Sequence, residues 1–303
     1  MRLGAHVSTA GGISRAPETG RSIGAEAIHI FSKSPHSWTA PPLDPEEAAR
    51  FRAEMDRTGL SAASVHHNYL TNLASPKESN YRASRASFRD DLERSESLGA
   101  RHLIFHPGAH VGSGTEAGIR RIAAALVWAI GETPKYRVRI LLENAAGQGT
   151  TLGSTFEELA RILDAVGAPE RVGIALDTCH LFASGVDFRT DTDYGAVLDR
   201  LQATVGADRV QAFHLNDSVA GLGSHLDRHA NIGRGALGIE GFRRWVTDRR
   251  WAEVPGYLET PLADESYATY RDELAALRAL AAPPPRVARP RSGATAPRRR
   301  RSA

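Results

Sequence analysis

The chain has 303 residues, 41% hydrophobic and 24% charged, with a formal net charge of +3; that is the composition of a globular enzyme long enough for one large barrel. No run of about 18 apolar residues offers a membrane span, and the start, MRLGAHVSTAGG, lacks the charged and apolar regions of a secretory signal, so the expected place is the cytoplasm, with no membrane partner. The single cysteine, Cys179, excludes an internal disulfide and a thiolate zinc finger, which directs any metal argument to His and carboxylates.

In chain order, apolar segments at 2–8, 27–32, 61–67, 102–108, 139–146, 172–178, 210–216 and 256–260 read as strands, each followed by a helical pattern. Between the second and third, Asp44 caps a helix with Pro45 in its first turn and Glu47 closing a capping box; Phe51 and Met55 share a face and Gly59 stops it. After Gly153, Ser154 and Glu157 form a second capping box ahead of Phe156, Leu159, Ile162, Leu163 and Val166, and Gly167 ends that helix. Stripes at Ile119, Ile122, Leu126 and Ile130, at Tyr194, Val197, Leu198, Leu201 and Val205, and at Tyr267, Tyr270, Leu274 and Leu277 are core faces.

Eight strands buried on both faces and alternating with helices predict a closed (β/α)8 TIM barrel over 1–281, with an open doubly wound sheet as the alternative. Residues 282–303 hold seven Arg and no Asp or Glu, so the rest of the chain balances at −4. With almost no large apolar residue, this Pro/Arg-rich tail is expected to be disordered.

Barrel active sites lie at the C-terminal ends of the strands. There the third strand candidate carries His66, the fourth His106, the fifth Glu143, the sixth Asp177 with His180 just beyond, the seventh His214 and the eighth Glu259. Taken one per strand, these positions are 40, 37, 34, 37 and 45 residues apart, about one strand–helix unit each, so they converge on the barrel axis. Asp227 and His229 follow in the long loop after the seventh strand, and a D-x-H pair puts two donors on one side of an extended segment.

Any one of these residues has a plain structural explanation. Together they do not, because Glu143, Asp177 and Glu259 interrupt apolar strands where cations are otherwise scarce, and isolated buried carboxylates are costly. A polynuclear metal site removes that cost. Three zinc ions suit the His-rich donor set, Mn or Fe being accepted by the same donors, and nine ligands with one bridging carboxylate leave coordination positions open for water and substrate.

GAHVS (4–8), HHNYLTNL (66–73), FHPGAH (105–110), LLENAAGQG (141–149), LDTCH (176–180), FHLND (213–217), LDRH (226–229) and LET (258–260) occur in order at barrel spacing. As a set they resemble the bacterial endonuclease IV family of apurinic/apyrimidinic endonucleases, over residues 1 to about 280. The resemblance implies a trinuclear zinc site. His66, His106 and Glu143 would hold the first ion; Glu143 would bridge to a second held by Asp177, His214 and Glu259; His180, Asp227 and His229 would hold the third.

The implied reaction is hydrolysis of the phosphodiester 5′ to an abasic site in duplex DNA by a monomeric enzyme. Tyr69 and Leu70 would enter the DNA stack, and Lys33, His36 and Arg228 would face the DNA, with His36 standing where many members have Arg. Glu143 would orient the nucleophile or accept its proton, and His6 and Gln148 would lie close behind the ligands. His29, His67, His102, His110 and His225 are expected to be structural or on the surface, and Cys179 to serve packing. A sugar isomerase on the same barrel is the competing enzyme reading; it would need fewer ligands and no DNA wedge.

Overall fold

The computed structural model describes residues 1–281; the Pro/Arg-rich tail expected at 282–303 lies outside the described residues. Eight parallel strands close a barrel: β1 (Arg2–His6), β2 (Ala27–Phe31), β3 (Ala62–His66), β4 (His102–Phe105), β5 (Arg139–Glu143), β6 (Val172–Asp177), β7 (Val210–His214) and β10 (Pro255–Leu258). Their order is β1-β10-β7-β6-β5-β4-β3-β2, the closed barrel rather than the open sheet. Two short strands, β8 (Asp217–Ser218) and β9 (His229–Ala230), pair antiparallel inside the loop after β7. Nothing in the sequence pattern announced that ribbon.

The outer ring comprises α1 (Ala16–Ser22), α2 (Pro45–Thr58), α3 (Glu78–Ser97), α4 (Thr115–Glu132), α5 (Phe156–Val166), α6 (Thr178–Ala183), α7 (Asp191–Thr204), α8 (Gly238–Thr247) and α9 (Ala268–Ala281). Their apolar stripes pack against the outward residues of the strands in one continuous core containing Ile28, Val65, Leu103, Ile140, Ile174 and Phe213; each such side chain, fully buried, contributes about 1.5–3 kcal/mol. Tyr267 packs against the core as expected, but from just outside the helix. It precedes α9 at φ 57, and its hydroxyl accepts from the Ser8 backbone N–H.

Both capping boxes form differently from expectation. Asp44 caps α2 by accepting from the Glu46 N–H, while Glu47 turns away to accept from the Ser14 N–H. For α5 the box is shifted by one residue: Thr155 is the cap, accepting from the Glu158 N–H, and Glu158 Oε2 reaches back to the Gly153 and Ser154 N–H groups.

Inside the barrel a separate layer of Ala27, Ala62, Ile104, Leu141, Ala175, Ala212 and Tyr257 fills the axis. Side chains alternate across a strand, so the next inward residue is two positions on: His29, Ser64, His106, Glu143, Asp177, His214 and Glu259. One further step along β3 gives His66. The apolar floor of the barrel thus fixes which side chains point into its mouth.

Candidate metal centre

All nine expected ligands converge at the C-terminal mouth in one network. Glu143 is its hub: Oε1 lies 2.8 Å from His214 Nδ1 and 3.4 Å from His180 Nδ1, while Oε2 lies 3.4 Å from His66 Nε2 and 3.7 Å from His106 Nε2. Glu259 Oε2 adds a contact of 3.2 Å to His214 Nδ1. On the other side, His180 Nε2 is 3.2 Å and His229 Nε2 3.5 Å from Asp227 Oδ1, and His229 Nε2 is 3.6 Å from Asp177 Oδ2.

The backbone sets the imidazole tautomers. His66 Nδ1 is 2.6 Å from the His67 carbonyl, His180 Nδ1 2.9 Å from the Asn144 carbonyl, and His229 Nδ1 3.3 Å from the Glu259 carbonyl. A carbonyl oxygen only accepts, so each Nδ1 carries the hydrogen and each Nε2 presents a lone pair to the mouth. This is how metal-binding histidines are generally held.

Asp177 is fixed on every side. Its Oδ1 caps α6 by accepting from the His180 N–H, its Oδ2 accepts from Asn216 Nδ2, and its backbone N–H donates to Asn144 Oδ1. Asn216 Oδ1 also accepts from the Glu259 N–H at 2.9 Å.

Charge tells the same story. Burial alone would push the Glu143 carboxyl up, yet the imidazoles of His106, His214 and His180 outweigh it and hold it well below the usual carboxylate range. Glu259 is held down in the same way by His214, His6 and His66. Burial opposes a charge on His214, but Glu143 and Glu259 raise it to about 9. These buried carboxylates depend on positive charge beside them, which bound cations supply in a metal site.

Glu143 Oε2 and the Nε2 atoms of His180, His214 and His229 are buried without hydrogen-bond partners. Buried polar atoms are rarely left unpaired, so this donor set fits divalent metal ions.

A cavity of about 220 Å³ opens beside the cluster, lined by Tyr69, His106, Gln148, Leu152, His180 and Asp227 among others. Tyr69, which lines it, is 55% exposed, and the neighbouring Leu70 38%. The β3 and β4 loops that frame it are tied by Asn72, which accepts from the Ala109 and Ala74 N–H groups and donates to the Ala109 carbonyl. Only glycine fits opposite: at Gly108, φ 111, an added Cβ would lie 2.4 Å from Asn72 Oδ1.

His36 is exposed, with its ring 6.1 Å from that of Tyr69, and Arg228 is exposed with its guanidinium donating to the Asp227 carbonyl. His6 stands behind the ligands, its Nδ1 3.0 Å from Glu259 Oε1.

Lys33 is a correction. Expected on the DNA side, its ammonium is instead buried, 2.6 Å from Asp90 and 3.4 Å from Asp91, and these partners on α3 leave it no access to a ligand at the mouth. Cys179 is buried, its thiol pushed up to about 12 by burial and by Asp177, consistent with packing. Asn144 and Asn216, which hold Asp177 and Glu259, are functional residues that the sequence pattern did not single out; they lie one and two residues beyond ligand positions in LLEN and FHLN, a positional signal for residues that hold ligands.

A family model described as a xylose isomerase-like TIM barrel matches residues 18–280. The "Probable endonuclease 4" of Chloroflexus aurantiacus is 47% identical over 279 residues, 92% of this chain and 98% of the relative. Its namesake from Geobacter sulfurreducens is 45% identical over 263 residues, 87% and 89% of the two chains. Among solved structures, endonuclease IV from Thermus thermophilus superposes with a TM-score of 0.81 at 37% identity, covering 92% of this chain and 100% of that one. A D-tagatose 3-epimerase-like protein, at 18% identity and a TM-score of 0.70, shares the fold alone. At these identities, over nearly the full length of its relatives, the chain belongs to the endonuclease IV family within the xylose isomerase-like TIM barrels.

Proposed function

We propose that this protein is a zinc-dependent repair endonuclease that hydrolyses the phosphodiester 5′ to an abasic site in duplex DNA, leaving a 3′-hydroxyl and a 5′-deoxyribose phosphate. The observation that carries this reading is the convergence of nine His, Asp and Glu side chains, among which Glu143 Oε2 and the Nε2 atoms of His180, His214 and His229 are buried without hydrogen-bond partners. His66, His106 and Glu143 would hold one ion, and Glu143 would bridge to a second held by Asp177, His214 and Glu259. His180, Asp227 and His229 would hold a third; manganese or iron suits the same donors.

When bound, such ions supply Lewis acidity, making hydroxide available at neutral pH and offsetting charge on the phosphodiester. Glu143, hydrogen-bonded at Oε1 and unpartnered at Oε2, would orient the attacking water or accept its proton. Tyr69 and Leu70 fill the gap left in the duplex by the extruded sugar. The cavity beside them is smaller than the roughly 300–1,000 Å³ of sites for drug-sized ligands, which suits a sugar without its base. Arg228 and His36 at the rim meet the DNA backbone, and Gln148 faces the sugar. The enzyme acts as a monomer in the cytoplasm, where its DNA substrate lies.

The test is incision of a duplex bearing one tetrahydrofuran abasic analogue, with metal analysis of the same preparation. Wild-type protein should cut 5′ to the analogue, lose activity to a chelator and regain it with zinc. Glu143→Ala should cut at least about 100-fold more slowly, the scale of one lost proton-transfer group, and His66→Ala should also be impaired. Absence of metal-dependent cutting by the wild type overturns the reading.

A further inference from the structure

The two oxygens of Glu259 face different neighbours. Oε2 points to His214 and the nine-residue cluster, while Oε1 lies 3.0 Å from His6 Nδ1 and 3.6 Å from His29 Nε2. His29 is fully buried on β2 inside the barrel, stacked on Tyr257 with ring centroids 5.0 Å apart. Its Nδ1 is 3.1 Å from the Ser64 carbonyl, so the hydrogen is on Nδ1 and Nε2 carries a lone pair.

That Nε2 has no hydrogen-bond partner among the described residues, and neither has His6 Nε2. A buried imidazole lone pair turned towards a carboxylate oxygen is unfavourable unless a cation lies between them. The candidate donor atoms of His6, His29 and Glu259 all fall within 4.8 Å of one another, and the backbone carbonyl behind His29 holds it as the carbonyls behind His66, His180 and His229 hold those rings.

We propose that His6, His29 and Glu259 form an auxiliary divalent-cation site joined to the main cluster through Glu259. Two imidazoles and one carboxylate with open positions suit a first-row ion such as zinc, manganese or ferrous iron. Glu259 would then be shared between two ions, as proposed for Glu143 in the main cluster, and the added ion would brace it from the side facing away from His214. The inference rests on reading the nine-residue cluster as a metal centre.

Metal content decides it. The full chain, His29→Phe and His29→Gln are saturated with Zn²⁺, freed of loose ions by gel filtration and analysed by plasma emission; Phe preserves the stack on Tyr257. The wild type should retain one equivalent more than either variant. Cobalt titration of the wild type, followed by visible absorption, should show a further saturable step that fills after the main cluster and is missing from the variants. Equal stoichiometry in all three proteins, or no extra cobalt step in the wild type should both variants fail to fold, overturns the proposal. Incision of the abasic duplex by the same wild-type preparation separates the two readings: metal-dependent cutting without the extra equivalent removes only the auxiliary site, whereas no cutting removes the functional reading itself.

Discussion

Asn216 holds two proposed ligands at once, donating to Asp177 Oδ2 at 2.7 Å and accepting from the Glu259 backbone N–H at 2.9 Å. Asn216→Ala should therefore weaken zinc binding by about 10- to 100-fold, the usual effect of removing a partner behind a metal ligand, as measured by competition with a chromophoric chelator. An unchanged affinity would show that the strand ends alone position the carboxylates. His102, at the opposite end of the barrel, makes a pH prediction. Burial, then Arg101 and Arg139, depress its pKa to about 3, so it is neutral when folded but takes a proton when unfolded below about 6.5. Its contribution to stability is complete above 6.5 and falls between 6.5 and 3, by about 1.4 kcal/mol per pH unit. Urea unfolding of wild type and His102→Gln across that range should show the slope shallower in the variant by this amount.

The segment between β7 and α8 is the element on which the site most depends, because it carries Asp227 and His229. Its anchor is Asp217, fully buried, whose carboxylate accepts from the N–H groups of Ser218, Gly233, Gly235 and Leu237. With β8 paired to β9, these bonds hold His229 against Asp177. Asp217→Ala should leave the barrel folded by circular dichroism, yet speed amide exchange through 218–237 and release the ion proposed for His180, Asp227 and His229. Retention of every metal equivalent would show that the loop keeps its shape without the anchor. The strands were legible because long apolar runs were broken by polar ends, whereas this ribbon has only two residues per strand and no periodicity to reveal it. The caps show a subtler limit: Thr155 and Ser154 are chemically equivalent candidates, and only the path of the chain chose between them.

At the scale of the molecule, the seven arginines of 282–303 offset a chain that otherwise balances at −4. A protein truncated after Ala281 should keep the incision chemistry but bind duplex DNA more weakly. Its affinity should also depend less steeply on salt, since every phosphate that an arginine no longer neutralises takes close to one unit off the slope. Fluorescence anisotropy at several salt concentrations measures this; identical slopes would assign the tail no part in binding. No helix among the described residues is long and apolar enough to cross a membrane.

The sequence by itself determined the eight-stranded barrel and the candidate ligands at its strand ends, because a two-residue alternation above an apolar floor dictates which side chains point into the mouth. Only the tertiary structure decided what surrounds them. The sequence places Lys33 on the DNA side, but α3 brings Asp90 and Asp91 to it, and the unpartnered Nε2 of His29 lies beside Glu259. Those pairings join residues 57, 58 and 230 positions apart, a separation at which local pattern carries no information and only the closure of the barrel sets the distance.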